Sequence, residues 1–367
     1  MTRPVLTIAG LVAFAVVLAA CGDVTVTPSA LVEESQPAEE SQPAEATPAP
    51  QTGERLADVQ ARGNLICGVN GSLAGFSFLE ADGTNTGFDA DFCRAVAAAV
   101  LGDPEAVEFR ALTADARGPA LQTGEVDVLI RNTTWTVTRD TTWGLFGPTT
   151  FYDGQAIMVS ADLGAETIED LAGATICVQS GTTTELNLTD RMRELGIQYT
   201  PNVFADIDPT YAAYEEGACD AVTSDRSQLV SRRTAFADPD AHVILDDVLS
   251  KEPLGPVVPL GDDQWFNVVK WVVYATIEAE EQGITQANVQ EMTASENPVV
   301  ARLLGAEGEL GALLGLENDW VVNVISAVGN YGEIYDRNLG PGTPFNLERG
   351  LNNLWTEEGL LYAPPYR

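Results

Sequence analysis

The sequence predicts an α/β fold built in two similar halves, and three observations point to it. Short apolar runs alternate with longer helical stretches from residue 64 onward. The same rhythm is played twice along the chain. Apolar residues make up 45% of the 367, enough to bury a sizeable core. Strands that alternate with helices indicate parallel, wound sheets.

Taken in order, the first half gives a strand at 64–69, an alanine-rich helix at 92–100 and a strand at 107–111. A helix at 116–122 and a buried strand at 126–130 complete it. The second half gives a strand at 174–178, helices at 184–195 and 211–216, a strand at 221–223 and a helix at 227–234. A long amphipathic helix at 264–282 follows, then helical segments through 316, at 320–328 and at 350–355. Two α/β halves suggest a ligand lodged between them, at the carboxyl ends of the strands.

Ahead of this folded part, residues 1–20 read as an export signal, with Arg3 before an apolar run that is short for a membrane span and ends in small residues. Leu18-Ala19-Ala20-Cys21-Gly22 resembles a bacterial lipobox, which makes Cys21 the expected lipid attachment point; a plain secretory signal is the simpler alternative. Residues 21–54 carry five prolines and a tandem Glu-Glu-Ser-Gln-Pro-Ala repeat at 33–38 and 39–44. Such a segment cannot bury an apolar face and is expected to be a solvated, disordered tether.

Charge and histidine content exclude several functions. The chain has 19 lysines and arginines against 54 aspartates and glutamates, a net charge of −35. That field repels phosphate backbones and anionic lipid, so a nucleic-acid partner and electrostatic membrane binding are not expected. His242 is the only histidine, which rules out a histidine cluster for metal binding or paired acid–base work. It follows Pro239-Asp240-Ala241, so a surface loop is expected there. Asp89 and Asp91 precede a helix, where cap and dipole roles fit better than a metal pair. Trp135, Trp143, Trp265 and Trp271 read as core residues. No cofactor is implied.

With Cys21 assigned to the anchor, Cys67, Cys93, Cys177 and Cys219 remain in a compartment that permits disulfides. Three pairings are possible, and buried free thiols are the alternative. Cys67–Cys93 with Cys177–Cys219 is favoured, because each pair then lies inside one half.

Three strand ends carry groups suited to a small zwitterion. The first, residues 127–139, runs from a strand into hydroxyl and amide side chains and then Arg139, whose planar fork can hold a carboxylate by two bonds. Capping a helix or pairing with Asp140 is the plainer role for that arginine. The second, residues 176–185, runs through Gly181 into Thr182, Thr183 and Thr184 at a helix start, where free backbone N–H groups attract anions. Thr182 with Glu185 also fits an ordinary capping box. The third is Asp225, between a strand and a helix, able to receive an ammonium group or to serve as an N-cap. Together they meet the needs of an α-amino acid.

On these and longer stretches the chain resembles the solute-binding proteins of polar amino-acid ABC transporters, bacterial family 3, in their general L-amino-acid-binding branch. The resemblance runs from about 56 to 367 and rests on Gly87-Phe-Asp-Ala-Asp-Phe-Cys-Arg-Ala-Val-Ala-Ala-Ala-Val, Arg131-Asn-Thr-Thr-Trp-Thr-Val-Thr-Arg and Phe151-Tyr-Asp-Gly-Gln. Gln179-Ser-Gly-Thr-Thr-Thr-Glu-Leu-Asn-Leu, Ser250-Lys-Glu-Pro-Leu-Gly-Pro, Val328-Gly-Asn-Tyr-Gly-Glu-Ile and Arg349-Gly-Leu-Asn-Asn-Leu-Trp complete it.

The resemblance implies a bilobed, type II periplasmic-binding-protein-like fold. Lobe 1 would span 55–153 plus 250–300 and lobe 2 would span 154–249, joined by two hinge crossovers. A helical extension at 301–367 would pack on lobe 1. It implies that Arg139 clamps a ligand α-carboxylate with Thr134 and Thr183, and that Asp225 binds the α-ammonium with help near Asn132. Phe76 would pack on the ligand side chain. Wider relatives often carry serine where Arg131 stands, an aromatic in place of Ala74-Gly75, and a larger apolar residue in place of Gly118.

The implied protein is a non-catalytic, monomeric carrier. It binds free L-amino acids outside the cytoplasm, is held to the membrane by its lipid alone, and delivers them to an ABC-type permease. An exported dehydratase-like enzyme and a ligand-sensing module for chemotaxis or signalling are the alternatives.

Overall fold

The computed structural model describes residues 54–367. The export signal, Cys21 and nearly all of the tether lie outside them. Helix α1 (Glu54–Arg62) leads into β1 (Leu65–Val69), and a small sheet follows of β2 (Ser72–Leu73), β3 (Ser77–Leu79) and β4 (Asn85–Thr86). Then come α2 (Phe88–Leu101), β5 (Val107–Ala111), α3 (Arg117–Gln122), β6 (Val128–Leu129), α4 (Val137–Thr142) and β7 (Gly144–Phe146). Strand β8 (Phe151–Ser160) carries the chain into lobe 2, made of β9 (Thr175–Gln179), α5 (Thr183–Leu195), β10 (Thr200–Phe204), α6 (Ile207–Glu215), β11 (Ala221–Asp225), α7 (Arg226–Arg233) and β12 (His242–Ile244). Strand β13 (Ser250–Leu254) brings it back to β14 (Val257–Pro259) and the long α8 (Asp263–Glu281). Five shorter helices follow: α9 (Val289–Met292), α10 (Pro298–Leu303), α11 (Leu310–Leu314), α12 (Trp320–Val328) and α13 (Tyr331–Asn338).

Each lobe is wound on its own sheet. Lobe 1 has the order β5-β1-β6-β14-β7, and lobe 2 has β10-β9-β11-β8-β12 with β13 also on β8. The sheets are mixed, where the alternating pattern had indicated parallel ones. β1 runs parallel to β5 and β6, and β9 to β10 and β11, but β14 and β8 run against their neighbours. The reason is connectivity. β8 leaves lobe 1 and β13 returns to it, so the two crossings pair antiparallel, with Leu254 opposite Phe151 and Ser250 opposite Gln155. Phe151 packs in the lobe 1 core, whereas Ala156 and Met158 pack on one face of lobe 2 and Ile157 and Val159 on the other.

The lobe 1 core gathers around α2, whose alanines let neighbours come close. Its start is fixed by Gly87, at φ 118°, where a Cβ would fall 2.4 Å from the Phe76 carbonyl oxygen. Phe88, Phe92, Phe151, Tyr331 and Tyr335 meet edge-on or stacked beneath it. Val321, Val324, Ile325 and Val328 of α12 belong to the same core, each worth roughly 1.5–3 kcal/mol of burial. The helix expected at 350–355 is instead a pair of 3₁₀ turns, Gly350–Asn352 and Trp355–Glu357.

Both cysteine pairs stand at disulfide distance. Cys67 on β1 joins Cys93 on α2 at 2.13 Å, and Cys177 on β9 joins Cys219 at 1.97 Å. His242 corrects the expectation of a loop: it opens β12, half-buried, with Nδ1 2.8 Å from the Tyr214 hydroxyl and its ring against Phe236. Of the tryptophans, Trp265 is fully buried and its indole N–H donates to the Asp127 carbonyl. Trp135 is not core. It is 43% exposed and stacks flat on Phe146.

Candidate functional site

The loop after β6 supplies the lobe 1 wall. Asn132 takes a left-handed backbone, φ 28°, which asparagine tolerates better than most residues. Its N–H donates to Asp89 at 2.8 Å, and its side-chain amide reaches across to Gln228 at 3.1 Å. Thr136 then caps the short helix α4 by accepting from the Arg139 N–H, and this turns the Arg139 side chain inward.

Arg139 is 6% exposed. It lies over the Trp143 ring at 4.8 Å and gives one Nη1 hydrogen bond to the Thr134 carbonyl, at 3.0 Å. It does not pair with Asp140, whose carboxylate accepts from the Phe146 N–H. Burial lowers its pKa, and Glu252 and Asp225 oppose that. Gly118 now has a reason: a Cβ there would stand 2.8 Å from Trp143 and push that platform aside.

Lobe 2 faces it with two helix starts. Thr182 caps α5 through the Glu185 N–H, as the capping pattern predicts, and leaves Thr183 pointing toward lobe 1. At α7, Asp225 stands in the N-cap position yet caps nothing. Asp153 on β8 does that work by accepting from the N–H and hydroxyl of Ser227. The Asp225 carboxylate is therefore left without a hydrogen bond while only 6% exposed, and it opens on the cleft. Burial pushes its pKa well above the ordinary carboxylate value, with Glu252 and Asp153 adding to the shift and Arg117 and Arg139 opposing it.

Arg139, Thr134, Asn132, Thr183 and Asp225 all line one cleft, with only about 20 Å³ of free space left inside it. The lobes are closed on it. Arg117 donates to the Gly181 carbonyl at 3.2 Å, and Ser231 donates to the Ala74 carbonyl at 2.7 Å.

Phe76 is not in the cleft. It is fully buried in the lobe 1 core, 5.3 Å from the Phe151 ring and 6.1 Å from Phe88, so no ligand can pack on it.

Sequence reasoning missed several residues that line the cleft, Arg117, Arg131 and Gln228 among them, and the acid behind it. Arg117 lines the cleft from α3, only 3% exposed, and its one signal was an arginine beginning an otherwise apolar helix. Glu252 lies behind the cleft on β13, fully buried. It accepts from Thr134 at 2.5 Å, Thr183 at 2.8 Å, Asn187 at 2.8 Å and Ser250 at 2.6 Å. The clue was a lone acid inside the apolar-ended Ser250-Lys-Glu-Pro-Leu stretch.

Chemically, the cleft sets a guanidinium with free donors in one lobe against a carboxylate with free acceptors in the other. A molecule bearing an acid and an amine on neighbouring atoms answers both.

A sequence model of the bacterial extracellular solute-binding proteins, family 3, matches residues 65–284. The chain is 54% identical to the general L-amino acid-binding periplasmic protein AapJ of Rhizobium johnstonii, over 85% of this chain and 92% of that one. It is 50% identical to the glutamate/glutamine/aspartate/asparagine-binding protein BztA of Rhodobacter capsulatus, over 85% and 93%. Among solved structures, an ABC transporter periplasmic binding protein from Brucella ovis with glutathione bound has 51% identity and a TM-score of 0.84. That match covers 86% of this chain and all of that one.

Proposed function

Because the chain belongs to the bacterial extracellular solute-binding proteins, family 3, we propose that it captures free L-amino acids between its two lobes and delivers them unaltered to an ABC-type permease. The observation that carries this reading is the confrontation of Arg139 and Asp225 across one cleft. Arg139 takes the ligand α-carboxylate, with the Thr183 and Thr134 hydroxyls beside it, and Asp225 takes the α-ammonium. Asn132 and Gln228, already bonded to each other, tie the lobes at the mouth.

A ligand that touches both walls stabilises the closed arrangement, because only closure brings Arg139 and Asp225 to one molecule. β8 and β13 are the paired crossings on which the lobes swing, with the divisions at about 153–154 and 249–250. The ionised Asp225 is unfavourable in the empty cleft, and an ammonium removes that cost.

No turnover follows binding, in keeping with relatives that are named for binding alone. The protein works outside the cytoplasm as a monomer. Cys21 carries the lipid that holds it at the membrane, since a net charge of −35 repels an anionic bilayer.

Calorimetric titration of the purified protein against the twenty amino acids and glutathione, with mass spectrometry of the recovered ligand, tests the reading. Saturable one-to-one binding of amino acids recovered unchanged is expected. Absence of binding across the whole panel would overturn the carrier role, and a chemically altered ligand would favour an enzyme.

A further inference from the structure

Three guanidiniums line this cleft, and none of the three makes an ion pair. Arg117, Arg131 and Arg139 are 3%, 4% and 6% exposed. Most other arginines among the described residues are paired with a carboxylate, as Arg349 is with Glu280 and Arg337 with Asp91. A buried, unpaired cation is unfavourable unless something supplies the missing anion. In a chain with a net charge of −35, the cleft has gathered positive charge. Among the described residues, Asp225 is the only carboxylate that lines it with them.

The donors show where an anion would sit. A guanidinium has five N–H groups. Arg117 spends three of its five donors on the protein, one from each nitrogen, with bonds to the Ala114 carbonyl, the Thr133 hydroxyl and the Gly181 carbonyl. Arg139 spends one, on the Thr134 carbonyl. Arg131 also spends one, its Nε–H on the Leu112 carbonyl at 2.9 Å, which anchors the side chain and leaves both terminal nitrogens uncommitted. Asp89 is near enough to favour the charged form of Arg131, but its carboxylate accepts from the Asn132 N–H and makes no ion pair with it. The cleft thus has two guanidiniums, Arg131 and Arg139, that each commit a single donor to the protein, whereas Arg117 is tied through all three of its nitrogens; a simple zwitterion has one carboxylate.

We propose that Arg131 holds a second acid group of the ligand, so that the cleft selects amino acids whose side chain ends in a carboxylate. The inference rests on the amino-acid-binding reading above. Arg139 and Asp225 hold the α-carboxylate and α-ammonium common to every amino acid. Arg131 reads the side chain with two donors from a planar fork, which matches a carboxylate and only half matches an amide.

Titration of the purified full chain with L-glutamate, L-aspartate, L-glutamine and L-leucine tests it, alongside the Arg131→Gln and Arg131→Lys variants. The unaltered protein is expected to bind L-glutamate or L-aspartate about tenfold or more tightly than L-glutamine and L-leucine. Arg131→Gln is expected to erase that difference by weakening L-glutamate and L-aspartate about tenfold or more, with a smaller loss for L-glutamine. Arg131→Lys, which keeps the charge without the fork, is expected to fall between them. Equal affinity of the unaltered protein for L-glutamate and L-leucine overturns the proposal even where binding is tight. So does an equal loss for all ligands in a well-folded Arg131→Gln. Absence of binding by every ligand would instead overturn the carrier reading beneath it. The wild-type ranking needs no variant, so a misfolded substitution leaves that arm standing.

Discussion

The hydroxyls of Thr134 and Thr183 come from opposite lobes, stand 3.3 Å apart, and donate to the same oxygen of Glu252. Glu252 sits on β13, the returning crossing, so one buried carboxylate joins both lobes and the strand between them. Asn187 and Ser250 donate to its other oxygen.

Glu252→Ala would strand four donors at once, the buried Thr134 hydroxyl and the half-buried Thr183, Asn187 and Ser250 groups. An unfolding free energy lower by about 3 kcal/mol or more is expected in urea titration, together with weaker ligand binding because closure loses its shared acceptor. Unchanged stability would mean that Glu252 is a bystander.

Asp225→Asn should separate binding from folding. Asp153 caps α7 in its place, and the Asp225 carboxylate bonds to nothing in the protein. A loss of about 100-fold or more in amino-acid affinity is expected, with a melting temperature as high as the original or higher at pH 8. Arg139→Ala is expected to lose binding similarly; normal affinity in both variants would remove the basis of the site.

Ligand binding should release protons. The folded pKa of Asp225 is raised, so the empty protein holds a proton there up to a higher pH than an ordinary aspartate does. An ammonium ligand favours the ionised form, so affinity is expected to fall as pH falls. Calorimetry in buffers of different ionisation enthalpy measures the proton released, and a value of zero across the acid range would contradict the assignment.

Asp89 gives a stability effect of definite sign. Burial raises its pKa from 3.8 to about 7, against the Asn132 N–H and Arg131. A raised carboxyl contributes stability that is full below its unfolded value and is lost as pH rises through about 7, on the order of 4 kcal/mol at most. Asp89→Asn keeps a side-chain oxygen to accept from Asn132 and removes the titration. Its unfolding free energy is expected to vary less than the wild type's between pH 4 and 8.

The C-terminal turn at Asn352 grips the first crossing. Its amide accepts from the Tyr152 N–H at 2.6 Å and donates to the Tyr152 carbonyl at 3.2 Å, and the Tyr331 hydroxyl donates to the Thr150 carbonyl beside it. Asn352→Ala is expected to cost about 1–3 kcal/mol in denaturant unfolding. Amide exchange at Tyr152 should rise with it, and exchange equal to wild type would show that the contact restrains nothing.

Some of this was legible in the chain and some was not, for identifiable reasons. The strand at 107–111 and the helix at 320–328 fall where the sequence pattern put them; the helix buries Val321, Val324, Ile325 and Val328 on one stripe, and the edge strand half-buries Val107 and Phe109. β8 was not recognised as a strand. Asp153 and Gly154 interrupt its apolar run, and both faces of its far half are buried, which erases the alternation that marks a strand. Phe76 was misplaced because a phenylalanine in a loop reads alike whether it meets a ligand or closes a core. Only its contacts with Phe88 and Phe151 distinguish the two.

Of three cysteine pairings the sequence favoured one, and the folded chain brings those two pairs to disulfide distance. By itself the sequence determined the two-part α/β pattern and the residue types needed to hold a zwitterion. These are local properties: hydrophobic spacing, side-chain chemistry and turn residues act within a few positions of each other. Tertiary structure alone decided that Asp153 would free Asp225, that Glu252 would join Thr134 to Thr183, and that three guanidiniums would share one cleft. Those relationships join hydrogen-bonded pairs 64 to 118 positions apart, and no spacing rule spans such gaps until packing brings the lobes together.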